Sequence, residues 1–228
     1  MTADALASAS LILAVSLLLV ITGIKRVPGI GIVGSLVAIG LTLWQRSAGL
    51  DALGLRSPAD WGLTILLGMF IGLLIQTLAL TLLEPMIERL THQRPDHSVL
   101  DGLRGDWRAL LQWLVLVWLV VAFVEEGVYR GFLMTEIVRL VGESTWGVIF
   151  NITFTAVVFG LSHWYQGPSG ALSTGIVGLI LGGLFVWNDY NLWLLIFTHG
   201  FIDTVALVLI TANADKYIRE RLWGTGAA

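Results

Sequence analysis

Apolar residues along this chain come in long unbroken stretches, not in alternation with polar ones. Stretches free of Lys, Arg, Asp and Glu cover residues 7–24, 29–44, 61–83, 109–124, 144–163, 167–187 and 190–202, the last resuming after Asp203 to about Thr211. Most match the ~20 residues that a helix needs, at ~1.5 Å each, to cross a ~30 Å hydrocarbon core. The pattern predicts an all-α, polytopic transmembrane bundle of about seven spans. An eighth is open, because the helical pattern after Glu126 continues to about Val141. A membrane barrel would require alternating segments and is a poor fit.

Between these stretches the one sizeable polar connection is "EPMIERLTHQRPDHSVLDGLRGDWR", residues 84–108. It suggests an organisation into N-terminal helices with the connector (1–106), a helical core (107–212) and a polar tail (213–228). Residues 1–83 place no ionisable group inside a span, so no chemistry is expected there. Gly68 and Gly72, at G-x-x-x-G spacing, read as close-packing positions. The leader "MTADALASAS" carries no Lys or Arg, so the first stretch is read as a retained helix and not as a signal peptide. Neither an internal repeat nor an inverted pair of broken helices is visible.

Composition sharpens this picture. With 56% hydrophobic residues, 13% charged residues and a mean hydropathy of +0.83, the chain is read as an integral, multi-pass membrane protein. The absence of cysteine excludes disulfides, thiolate metal sites and a Cys nucleophile. A net charge of -3, without a basic stripe, speaks against a nucleic-acid partner. With seven spans, Lys25, Arg26, Arg89, Arg94, Arg104, Arg108, Lys216, Arg219 and Arg221 fall on one side, and Arg46, Arg56 and Arg139 on the other. The positive-inside rule then puts the N-terminus outside and the C-terminus in the cytoplasm.

Candidate chemistry lies in the second half. A charged side chain at bilayer depth costs roughly 2.5–3.5 kcal/mol on insertion scales, yet Glu125, Glu126 and Arg130 stand together in one stretch, His163 ends another, and His199 and Asp203 share a third. Glu126 and Arg130, like His199 and Asp203, are spaced i,i+4 and stack on one helix face. Arg130 can therefore neutralise Glu126, leaving Glu125, turned about 100° away, as the carboxylate free to take a proton. In a low-dielectric bundle an unpaired carboxylate gains proton affinity, toward the range useful in a general base. Glu125 with His163 can activate water, and His199 can stabilise an oxyanion. Such a set hydrolyses a peptide bond without a covalent nucleophile. The same residue types also build the proton relay of a coupled transporter or the buried polar glue of a non-catalytic scaffold.

The three segments read E-E-x-x-x-R in "EEGVYR", F-x-x-x-H in "FGLSH" and H-x-x-x-D in "HGFID". In that order they resemble the CPBP (Abi) family, which contains type II CAAX prenyl endopeptidases and bacteriocin-processing or immunity proteins. The resemblance spans roughly residues 107–212. It implies an intramembrane endopeptidase of about eight helices, with a cavity opening to one side of the membrane. It also implies Glu125 as base, His163 holding the water, Glu126 and Arg130 as a structural pair, and His199 with Asp203 at the oxyanion side. The implied partners are the bilayer and a peptide or protein substrate, in some cases lipidated; the implied location is the plasma (inner) membrane of a prokaryote.

Eukaryotic relatives carry Asn where this chain has Asp203, and an ionised aspartate cannot donate to an oxyanion. Asp203 is therefore expected either to accept the Nδ1 proton of His199 or to act as a protonated donor. The family was long described as metal-dependent, and two histidines with a glutamate can in principle bind zinc. H-x-x-x-D lacks the H-E-x-x-H arrangement, so no metal or other cofactor is expected. Phe159 is expected to pack around the imidazole of His163, and His92 and His97 to be solvated in the connector. Glu136 and Asn151 receive no role. His163 ends its stretch whereas His199 lies in the first half of its own, so either the link "YQGPSG" dips into the bundle or the helices are offset and tilted.

Overall fold

The computed structural model describes residues 3–223. Among them there are no strands, and seven helices are long and apolar enough to span a membrane. We label the helices α1 (Ala3–Ile24), α2 (Pro28–Gln45), α3 (Trp61–Thr91), α4 (Trp107–Val141), α5 (Thr145–Ser162), α6 (Gly167–Trp187), α7 (Leu192–Thr211) and a short amphipathic α8 (Ala214–Trp223). The eighth span left open by the sequence does not form. Residues on both sides of Glu126 belong to one helix of 35 residues, α4.

Polar residues just outside the apolar stretches set the helix ends. Asp60 accepts from the Leu63 N–H at 2.9 Å, and Asp106 accepts from the Arg108 and Ala109 N–H groups at 2.9 and 3.0 Å. Ser144 and Asn191 cap α5 and α7 in the same way. Gly142, at φ +76°, ends α4 in a conformation that a side chain would resist.

Two stretches of α4, Val117–Val121 and Gly127–Met134, are widened into π-type turns, which leave only Ala122–Glu126 as regular α-helix between them. The Asn151 amide donates to the carbonyl of Met134 at 2.9 Å, in the second widened turn, which gives that buried residue a structural task.

The most deeply buried span is α7, and α3 packs along it through the two glycines singled out above. A Cβ on Gly68 would stand 2.5 Å from Cβ of Phe197, and one on Gly72 only 2.6 Å from the Thr198 carbonyl oxygen. Such close backbone approach is what small residues provide where lipid offers no hydrophobic drive between helices. Large apolar side chains such as Leu66, Phe70, Leu111, Leu119 and Ile149 face outward, as a bilayer requires.

Apart from the motif residues, charged residues gather at two places. In one, Glu136 of α4, 2% exposed, is gripped by both terminal nitrogens of Arg46 and accepts from Ser8 at 3.1 Å, with Arg139 at 3.8 Å. The hydrogen bond to Glu136 holds the Arg46 guanidinium above its ordinary pKa against the opposing effect of burial. Glu136 thus ties α1 and α2 to α4. In the other, Arg219 of α8 pairs with Glu84 at 2.8 Å and with Glu88, Arg104 with Asp215 at 2.9 Å, and Arg26 with Asp96 at 3.5 Å. These pairs fix the polar connector and α8 over one end of the bundle.

Candidate active site

The regular segment of α4 between its two widened turns presents both glutamates. Glu126 is fully buried, and its Oε1 accepts from Arg130 Nη1 at 3.0 Å. Arg130, also fully buried, donates to the Gly178 carbonyl at 3.2 Å, and its guanidinium lies 4.6 Å from the centroid of the Phe159 ring. The i,i+4 pair expected from the sequence is therefore formed.

Glu126 does more than pair with Arg130. The same Oε1 lies 2.7 Å from His199 Nδ1, and an ionised carboxylate bonded to Arg130 can only accept there, so Nδ1 carries the proton. Of the two roles weighed for Asp203, accepting that proton is thus already taken by Glu126, on another helix. His199 instead turns Nε2 toward Asp203, with Oδ2 at 3.6 Å. The reason lies in packing: the Trp118 ring covers Gly200, where a Cβ would stand 2.7 Å from it, and Trp118 Nε1 donates to Thr204 at 3.1 Å. With no side chain at 200, α4 and α7 approach closely enough for Glu126 to reach the imidazole.

His163 immediately follows the last residue of α5. Its Nδ1 donates to the Phe159 carbonyl at 2.8 Å, which leaves Nε2 as the acceptor nitrogen of a neutral ring. Nε2 faces Glu125 Oε2 at 4.0 Å. That gap is too wide for a direct hydrogen bond and has the width that one water spans with a bond to each side. Glu125 has 18% of its side chain exposed; no cation pairs with it among the described residues. Phe159 meets His163 edge-on, with centroids 4.7 Å apart, and His199 at 6.4 Å. It packs around both imidazoles as well as under Arg130.

The polar connector folds over the segment that follows His163. Helix α5 stops at Ser162 and the chain makes a tight turn over Trp164–Gln166. The connector closes over this turn, with the Asp96 N–H donating to the Gln166 carbonyl at 2.8 Å and Ser169 Oγ donating to the Gln93 carbonyl at 2.7 Å. A chamber lies there, with polar groups supplied by Glu84, His97, His163, His199 and Asp203 and most of the remaining wall apolar, Phe159 included. The expectation that His97 is solvated is thereby corrected: it is half-buried at the chamber wall, carried there by the folded connector. His92, at the end of α3, is exposed.

On its other side His163 borders an apolar groove shared with Glu125, Tyr129 and residues of α1 and α2, among them Leu19, Pro28 and Ile32. The N-terminal half supplies no ionisable group here, yet it builds one wall of the site.

Residues 107–205 match the family model of the type II CAAX prenyl endopeptidases, Rce1-like. The match covers all three motifs, and the resemblance read from them is borne out. It is a family of CAAX-type intramembrane proteases. No curated protein and no solved structure matches the chain.

The donor set does not suit a metal ion. Zinc wants several ligands converging on one point, whereas His163 Nε2 and His199 Nε2 face different carboxylates and both Nδ1 atoms are committed elsewhere. Among the described residues no group of three His, Asp or Glu is placed to hold one.

Proposed function

We propose that the protein is an intramembrane endopeptidase that hydrolyses a peptide bond of a membrane-associated substrate with a water held between Glu125 and His163. The observation that carries this reading is the 4.0 Å gap between Glu125 Oε2 and His163 Nε2, at a histidine whose other nitrogen is tied to Phe159. Water bound there donates one hydrogen to His163 Nε2 and gives the other to Glu125 as its oxygen attacks the scissile carbonyl. Glu125 then passes that proton to the leaving amine. As an imidazolium, His199 donates from Nδ1 to Glu126 and from Nε2 to the developing oxyanion, on the side where Asp203 stands.

No metal enters this scheme. In this reading the peptide segment lies between the chamber and Glu125, and the apolar groove beside Glu125 takes the lipid group of a lipidated substrate. By charge distribution the chamber opens toward the cytoplasm.

The test is cleavage of a peptide library by the detergent-purified protein, read by mass spectrometry beside a Glu125→Ala control. Products that appear only with the native protein support the reading. Their absence, together with pH-gradient-driven solute uptake in proteoliposomes, would replace it with transport.

A further inference from the structure

One buried hydroxyl beside the candidate site has no part in the chemistry just described. Tyr129, 1% exposed, stands one turn beyond Glu125 on α4. Its hydroxyl donates to Ser162 Oγ at 2.7 Å. Ser162 in turn donates to the Phe159 carbonyl at 2.7 Å, the same oxygen that accepts His163 Nδ1, and Ser162 Oγ lies 3.3 Å from that nitrogen. The side chain carrying the candidate base and the side chain bracing its partner thus come from one helix, four residues apart.

Resting on the proposed hydrolytic reading, we infer that Tyr129, acting through Ser162, is a positioning residue that fixes the tautomer and place of His163 against Glu125. The Ser162 hydroxyl is the pivot. While it donates to the Phe159 carbonyl and accepts from Tyr129, His163 keeps its proton on Nδ1 and presents a bare Nε2 to Glu125. If Ser162 turned and donated to Nδ1 instead, the proton would sit on Nε2, and both His163 and a water between it and Glu125 would have the wrong polarity. Tyr129 holds Ser162 in the first arrangement, with its own ring fixed edge-on against Phe159 at 4.7 Å. On the opposite side Gly23 of α1 abuts the Ser162 backbone, where a Cβ would come within 2.1 Å of the carbonyl oxygen. Ser162 is thereby held between α1 and α4.

The experiment uses the full chain in detergent with ¹⁵N-labelled histidine, the His163 signals being assigned by their loss in His163→Asn. The native protein should show the Nδ1–H tautomer at His163. Tyr129→Phe, which keeps the ring and removes only the hydroxyl, should move the signals toward a mixture, whereas Ser162→Ala, which removes the hydroxyl placed to donate to Nδ1, should keep the native tautomer, and so should the double variant. If the native protein cleaves peptides, Tyr129→Phe should lower kcat by about ten- to a hundredfold, the scale of a misplaced catalytic group, with KM little changed, and adding Ser162→Ala should recover part of that loss. A shifted tautomer in a protein that cleaves nothing would uphold the bracing role and remove the hydrolytic reading. His163 signals in Tyr129→Phe identical to the native protein's, whatever the activity, or a shift that persists in the double variant, would overturn the inference.

Discussion

Glu126 Oε1 lies 2.7 Å from His199 Nδ1 while accepting Arg130 at 3.0 Å, so one oxygen joins α4 to α7 and fixes which nitrogen of His199 is free. Two consequences are measurable. Arg130→Ala removes one partner of a buried ion pair, leaving Glu126 to His199 alone, and should destabilise the protein by about 3–5 kcal/mol. Glu126→Gln, whose amide oxygen can still accept from His199, should cost less stability but lower turnover. Thermal unfolding in detergent checks the first, and an unchanged midpoint for Arg130→Ala would mean that the pair contributes nothing.

Glu125→Gln should insert and purify normally and hydrolyse nothing, because an amide takes no proton from water. The readout is peptide cleavage. Native-like turnover by this variant would remove Glu125 as the base.

With Nδ1 of His199 held by Glu126, Asp203 stands at the Nε2 side. Asp203→Asn should keep activity within about tenfold, roughly 1.4 kcal/mol in barrier, since the amide can donate to an oxyanion. Asp203→Ala should lose at least about a hundredfold, a loss on the scale of a removed oxyanion donor. Equal, near-native rates for both would make the residue a chamber wall and nothing more.

Hydrolysis should survive prolonged treatment with a strong chelator. Activity lost to the chelator and restored by stoichiometric zinc, with metal present in the purified protein, would contradict the two-carboxylate geometry described above.

Outside the membrane, the Arg104–Asp215 pair predicts a pH dependence of stability. Burial pushes the Asp215 carboxyl up, and the hydrogen bonds from Arg104 and from the Lys216 N–H outweigh it, so that Asp215 lies below its ordinary value. A folded-state pKa below the unfolded one stabilises the protein at pH values above the unfolded pKa, about 3.9, and that stabilisation is lost as pH falls through the folded value. Asp215→Asn should therefore melt below the native protein at pH 7, and the difference should shrink below about pH 4. Melting curves at the two pH values decide it; a constant difference would assign the effect to something other than ionisation.

What the sequence disclosed was what depends on local spacing. The long apolar runs gave the spans, Gly68 and Gly72 gave a close-packed face, and i,i+4 spacing gave the Glu126–Arg130 pair. What it hid depends on contacts between distant residues. Glu126 and His199 are 73 positions apart and Arg46 and Glu136 are 90 apart, so nothing local signals that they meet. Asp203 was the nearer partner for His199 in sequence, and the wrong one for Nδ1. The widened turns of α4 carry no side-chain signature, because they form where tertiary contacts such as Asn151 with the Met134 carbonyl satisfy the displaced backbone. His97 looked solvated because its place against the chamber is decided by how a polar connector folds.

The contact between Gly23 and Ser162 bears on how this protein can be divided. The segment that matches the family model begins at residue 107, but the backbone of α1 is pressed against the residue preceding His163, and α2 closes the groove at Glu125. The motif-bearing half is therefore not a transferable cassette. Expressed alone or grafted behind foreign helices, it would leave Glu125 bordering lipid tails and would let the end of α5 shift. Substitution at Gly23, distant from every motif in sequence, should displace Ser162 and with it the site.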